Sequence, residues 1–220
     1  TEATATKVVV DQEFVHEQGS GDPGAMLSAA LRTTLVPGTQ QLEIVLHANA
    51  GREDTRMRYH AVGVHDPYPW TFEMPDAYPL GVGVGYEGEE GEAVMSAGAK
   101  HVVIRGVPAD VAEEDNNGAP RLPGLRGRRW IGAQESVGNV RLFVVGLGGR
   151  LELRDVALVG GSAYRHSGTT EQNSGGAVFN LGTLLVRGCL FLGNRAEPFG
   201  GAIYNEGGGT VLVYGSTFRG

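Results

Sequence analysis

A single cysteine, Cys189, stands in 220 residues, which excludes an internal disulfide and a cysteine-based metal cluster. No apolar run reaches the roughly 18 residues of a membrane-spanning helix. Basic charge is not in surplus either. The formal net charge is −7, which argues against nucleic acid as a partner, because affinity there rests on neutralising phosphates. There is no N-x-Ser/Thr sequon, so attachment of N-glycans is not expected. Aromatic residues make up only 7% of the chain, so any interior must be built mostly from aliphatic side chains. The chain opens Thr1-Glu2-Ala3-Thr4 without a methionine, as expected of a processed or trimmed N-terminus.

Glycine, by contrast, is abundant: 36 residues, far above the usual share of about 7%. The glycines punctuate repeats. Gly175-Gly176-Ala177-Val178-Phe179-Asn180 returns as Gly200-Gly201-Ala202-Ile203-Tyr204-Asn205, shifted by 25 residues. Thr183 to Gly193 returns as Thr210 to Gly220, shifted by 27, and a fainter copy from Leu151 to Gly160 lies 33 residues upstream of its partner. Periods of this size, in β-rich and glycine-punctuated units, predict a solenoid.

Within each unit the side chains alternate. Leu184 and Val186 fall on one face, Leu185 and Arg187 on the other, and Gly188 breaks the strand before Phe191 turns inward again. Stacking equivalent residues one rung apart places Leu151, Leu184 and Val211 in one column, and Leu153, Val186 and Val213 in a second. Leu158, Phe191 and Phe218 form a third column. A further column of Val156, Cys189 and Ser216 takes small side chains, so Cys189 reads as interior filler rather than a nucleophile. Leu153, Val156, Leu158, Leu184, Val186, Cys189, Phe191, Val211, Val213 and Phe218 are all expected to be buried. The paired glycines, Gly175-Gly176 and Gly200-Gly201, suit corners that need positive φ or close approach of successive coils. Asn180 and Asn205 suit the next corner, where asparagine tolerates the left-handed region and can bond its equivalent one rung away.

The organisation follows. Residues 1–40 read as an N-terminal strand (Lys7 to Val10) and a capping helix, with Met26, Leu27, Ala30 and Leu31 on one face. Such a cap shields the open first rung of a solenoid. Residues 41–220 read as a parallel β-helix with irregular early coils and a polar excursion over about 108–138. Regular coils run over 140–220 and stop in mid-repeat at Gly220, so further coils or a protein partner are expected at that edge. Lys100 to Val107 resembles the later strand-turn unit from Leu184 to Cys189.

The GGA(V/I) corners together with Phe191-Leu192-Gly193-Asn194 resemble the GGA(I/L/V) and FxxN repeats of polymorphic outer-membrane proteins, over roughly 140–220. The resemblance implies a right-handed parallel β-helix, a hand that the crossover rule for parallel strands also favours. It further implies an extracellular or cell-surface protein of structural or adhesive kind. In the upstream copy, Leu158-Val159-Gly160-Gly161 stands where FxxN would be.

Parallel β-helices also carry polysaccharide lyases and glycoside hydrolases, so a carbohydrate-active enzyme is one alternative, and a subunit packed within a larger complex or filament is the other. The acidic group Asp110, Glu113, Glu114 and Asp115 holds oxygen donors suited to calcium but follows no known loop spacing, and a solvated loop is the expected reading. Outward positions of the regular rungs show no facing acid pair, so no catalytic residue is assigned. His16, His47, His60, His65, His101 and His166 are scattered without metal-ligand spacing. The expected role is a non-catalytic module of a longer protein or assembly. It needs no cofactor, protein is its first expected partner and carbohydrate the second.

Overall fold

A computed structural model of the chain describes residues 5–10, 30–31, 41–46, 71–74, 80–82, 95–96, 101–107, 129–133, 141–163 and 173–220. The described strands fall into stacked sheets in which every pair is parallel. The first sheet runs β1 (Ala5–Val10), β2 (Gln41–Leu46), β6 (His101–Gly106), β9 (Arg150–Arg154), β13 (Thr183–Arg187), β17 (Thr210–Tyr214). A second runs β3 (Thr71–Met74), β7 (Arg129–Ala133), β10 (Val156–Val159), β14 (Leu190–Leu192), β18 (Thr217–Arg219). The third runs β5 (Met95–Ser96), β4 (Leu80–Val82), β8 (Phe143–Val145), β12 (Val178–Asn180), β16 (Ile203–Asn205). A short fourth pairing joins β11 (Ser162–Ala163) to β15 (Arg195–Ala196).

The chain visits the third, first and second sheets in that order and then returns to the third. From β8 onward it makes three such passes, with two returns to the third sheet. Each visit adds one parallel strand beside the last, which is the connectivity of a β-solenoid. The fold class is all-β, a parallel β-helix. Of the segment expected to form the capping helix, only Ala30 and Leu31 are described. Both are helical and buried, and both pack into the same apolar cluster as the strands.

The register explains the core. Leu42, Val102, Leu151, Leu184 and Val211 are consecutive partners in the first sheet, as are Ile44, Ile104, Leu153, Val186 and Val213. Because side chains alternate across a strand, both columns point the same way, into the solenoid. Ile131, Leu158 and Phe191 line up in the second sheet, and Phe143 and Val178 in the third. All of these except Val213 converge on one cluster, Val211 packing at its edge. Stacked strands repeat about every 4.8 Å, so each residue of a column fills the gap left by its neighbour.

Three residues depart from the expected burial. Val213 is 42% and Phe218 46% exposed, and Val211 is half-buried. They hold the expected register, opposite Val186, Phe191 and Leu184. Their exposure arises because β17 and β18 are the outermost strands of their sheets, with no described coil stacked beyond them.

Candidate functional site

The repeat residues form the corners between sheets. Gly175 and Gly200 have φ of 71° and 61°, in the left-handed region that glycine enters without steric cost. The second glycine of the pair serves a different need. A Cβ on Gly176 would collide with the carbonyl oxygens of Arg195 and Gly201 on the next coil. So the first glycine turns the chain and the second lets two coils touch. Arg141, buried, fixes this corner from outside the coil by donating to the carbonyls of Ser174 (2.9 Å) and Gly175 (3.2 Å). Its guanidinium also lies 4.9 Å over the ring of Phe179, which stacks on Tyr204 at 5.6 Å.

Asn180 and Asn205 lie one above the other at the end of the third sheet. Asn180 Nδ2 donates to Asn205 Oδ1 at 2.6 Å, and Asn205 Nδ2 donates to the Gly209 carbonyl at 2.8 Å. Neither uses positive φ, contrary to one reason given for asparagine at this corner. Asp155, with φ 54°, is the single non-glycine residue that does so among the described residues. The side-chain ladder, not the backbone conformation, accounts for the asparagines. Above Asn180 the register partner is Val145, which offers no side-chain donor, and Asn180 Oδ1 is buried without a partner.

Phe191 and Asn194 divide the labour of the FxxN element. Phe191 points inward and stacks on Phe218, with centroids 4.6 Å apart and rings 10° from parallel. Asn194 reaches back to the preceding coil. Its Nδ2 donates to the Leu158 carbonyl at 3.0 Å, and its Oδ1 accepts from the Gly161 amide at 2.9 Å. In that preceding coil Leu158 takes the place of Phe191, and the Asn194 position falls on Gly161. Cys189 is fully buried but is more than filler. Its Sγ donates to the Arg187 carbonyl at 3.3 Å, as Ser216 Oγ donates to the Tyr214 carbonyl at 3.0 Å one coil later. The small polar side chain at this column caps the end of the preceding strand.

The outer face of the first sheet carries chemistry that the repeat pattern did not single out. Arg105, Arg154 and Arg187 are consecutive register partners, followed by Tyr214. Beside them run Glu43, Val103, Glu152 and Leu185. Glu152 is only 3% exposed, between two apolar neighbours, where an unpaired carboxylate would be costly. It accepts from Arg154 Nε at 2.7 Å and pairs with Arg187 Nε at 3.5 Å, while Arg105 Nε donates to Glu43 at 3.3 Å. The hydrogen bond to Glu152 holds the Arg154 guanidinium above its ordinary pKa. His101 occupies the same face beside Arg150, and its Nε2 is buried without a partner. Burial first, and the Arg150 charge second, push its pKa below the usual histidine value.

The acidic group Asp110, Glu113, Glu114 and Asp115 lies outside the described residues, as do His16, His47, His60, His65 and His166. Among the described residues no cluster of His, Cys, Asp or Glu could hold a metal ion, and no helix is long and apolar enough to cross a membrane. The arginine column was within reach of the sequence. Aligning His101-Val102-Val103-Ile104-Arg105-Gly106 with Thr183 to Gly188 puts Arg105 above Arg187. The separation of 49 residues between Arg105 and Arg154, against 33 between Arg154 and Arg187, hid it.

The family model described as the Chlamydia polymorphic membrane protein repeat matches residues 188–206. This span runs from the Gly188 corner through Phe191, Asn194 and the Gly200-Gly201 corner to the Asn205 ladder, so a repeat of this type is present in the chain. Comparison with curated proteins and with solved structures yields no match.

Proposed function

We propose that this chain is a non-catalytic structural or adhesive module displayed on the cell surface or outside the cell. In this reading it is part of a longer protein or assembly, and its solenoid holds binding faces at a fixed spacing. The observation that supports this most is the polymorphic membrane protein repeat at 188–206, whose motif residues make the inter-coil contacts that propagate the stack. A solenoid serves this role well because each coil contacts only its neighbours, so length is added without redesigning a core. The exposed edge of β17 and β18 suits pairing with a further coil or a partner chain.

Surface display is tested on intact cells that make the full-length protein. Antibody raised against residues 141–220 should label them without permeabilisation, and external protease should remove the epitope. An epitope that is protected until the cells are broken contradicts the reading. The non-catalytic part is tested separately, with a panel of acidic and neutral polysaccharides with and without calcium. Turnover that disappears in Asp115→Asn would overturn it.

A further inference from the structure

We propose that the outer face of the six-stranded sheet is a docking track for a linear acidic polysaccharide, bound along the solenoid axis by the Arg105–Arg154–Arg187 column. The face carries Lys7, Arg105, Arg150, Arg154 and Arg187 against Glu43 and Glu152, with Asp155 at the strand end beside Arg154, on a chain whose net charge is −7. Positive charge is therefore gathered onto one sheet of an otherwise acidic protein, and a polyanion is steered to that sheet.

The arginines are held ready for such a ligand. All three ion pairs use Nε, and among the described residues no hydrogen bond engages the terminal nitrogens of these guanidinium groups. Glu152, buried between Val103 and Leu185, anchors Arg154 and Arg187 from below. The Arg187 guanidinium also lies 5.2 Å over the Tyr214 ring, which restrains its plane. A guanidinium whose Nε edge is tied to the protein presents its other edge as a planar fork for carboxylate or sulfate oxygens. The column stacks three cations in succession, with two carboxylates in the column beside it.

The spacing selects the class of polyanion. Parallel neighbours repeat about every 4.8 Å, close to the length of one sugar in a pyranose chain, so a saccharide laid along the axis advances about one sugar per rung and the acids that face the sheet recur in step with the arginines. An extended acidic peptide presents same-side carboxylates about 6.7 Å apart, twice the rise per residue, and drifts out of register within two rungs. The inference rests on the reading of the chain as a binding module, but not on where the module is displayed.

The test is titration calorimetry of the purified, folded chain with five probes: oligogalacturonate, heparin oligosaccharide, neutral dextran, poly-L-glutamate and oligothymidylate. One or both acidic saccharides should bind, more weakly as salt rises, and the preferred one identifies the acid as carboxylate or sulfate. Arg187→Gln, and independently Arg105→Gln in the same column, should each weaken binding about tenfold, the loss of one charge-assisted contact. Arg195→Gln removes the same charge off this face and should change affinity by less than about twofold. Circular dichroism establishes that each variant is folded. The proposal is overturned if neither acidic saccharide binds, if polyglutamate or oligothymidylate binds more tightly, or if Arg195→Gln weakens binding as much as Arg187→Gln. Failure here with surface labelling intact refutes the ligand class and leaves the module reading standing.

Discussion

Replacing Asn194 by alanine should loosen one coil from the next, and the structure sets the scale. The side chain makes two hydrogen bonds to the preceding coil, to the Leu158 carbonyl and from the Gly161 amide. Each contributes roughly 0.5–1.5 kcal/mol net, and stranding a buried donor adds a desolvation cost of about 1–3 kcal/mol. Gly161 is buried, but Asn194 is only half-buried, so water can recover part of the loss. The expected cost is about 2–3 kcal/mol, which for a urea slope of about 1–3 kcal/mol/M lowers the midpoint by roughly 1 M. Amide exchange locates the effect. In Asn194→Ala the Gly161 amide should lose protection, whereas Asn194→Asp keeps an acceptor and should keep that amide protected while still losing the bond to Leu158. A cost below about 0.5 kcal/mol in the alanine variant, with Gly161 still protected, would refute the assignment of this residue as an inter-coil clamp.

Two further outcomes follow from the same geometry. Gly176→Ala should destabilise more than Gly193→Ala, although Gly193 has φ 60° and Gly176 has no positive φ, because a Cβ at 176 meets backbone of the next coil while one at 193 meets open space. The left-handed cost at 193 is about 1–2 kcal/mol, and chemical denaturation giving the reverse order would contradict the close-approach argument. The lowered pKa of His101 means that the folded state takes up its proton less readily than the unfolded chain. Stability from this group is full above its ordinary value of 6.5 and is lost as pH falls below that value. The difference in unfolding free energy between the parent and His101→Gln should shift in that direction between pH 7.5 and about 5, and a flat difference would refute the burial assigned to the ring.

The fold was legible because the last coils are near-copies. Once Leu184 is aligned with Val211 and Leu151, alternation assigns the inward positions of β9, β13 and β17, and the observed register matches that alignment. What the alignment could not supply was the work done across coils. Nothing in Phe191-x-x-Asn194 says that the asparagine reaches backward to Leu158 and Gly161, because its partners lie 36 and 33 residues upstream. Cys189 and Ser216 were legible as small, but their shared bond to the end of the preceding strand appears only once the corner is built. Burial of Val213 and Phe218 was inferred from equivalence alone, which ignores that a column's outermost member has one neighbour rather than two. The arginine column is the same lesson in charge. Arg154 and Arg187 each look like an isolated outward residue until Arg105 is placed above them, and then three cations share one line.

The parallel coils stack in the register of these repeats, and the one native cysteine offers a direct measurement of that register. Cys189 and Ser216 are neighbours on adjacent coils, with the Cys189 amide donating to Ser216 Oγ at 3.0 Å. Their α-carbons should lie about 4.8 Å apart, within the range a disulfide spans. Mild oxidation of Ser216→Cys, followed by peptide mapping, should give an intramolecular link to Cys189 in the folded monomer. Thr217→Cys, one residue along and on the opposite face of its strand, should give none. A link to position 217 in preference to 216, or only intermolecular links from both variants, would contradict the stacked register.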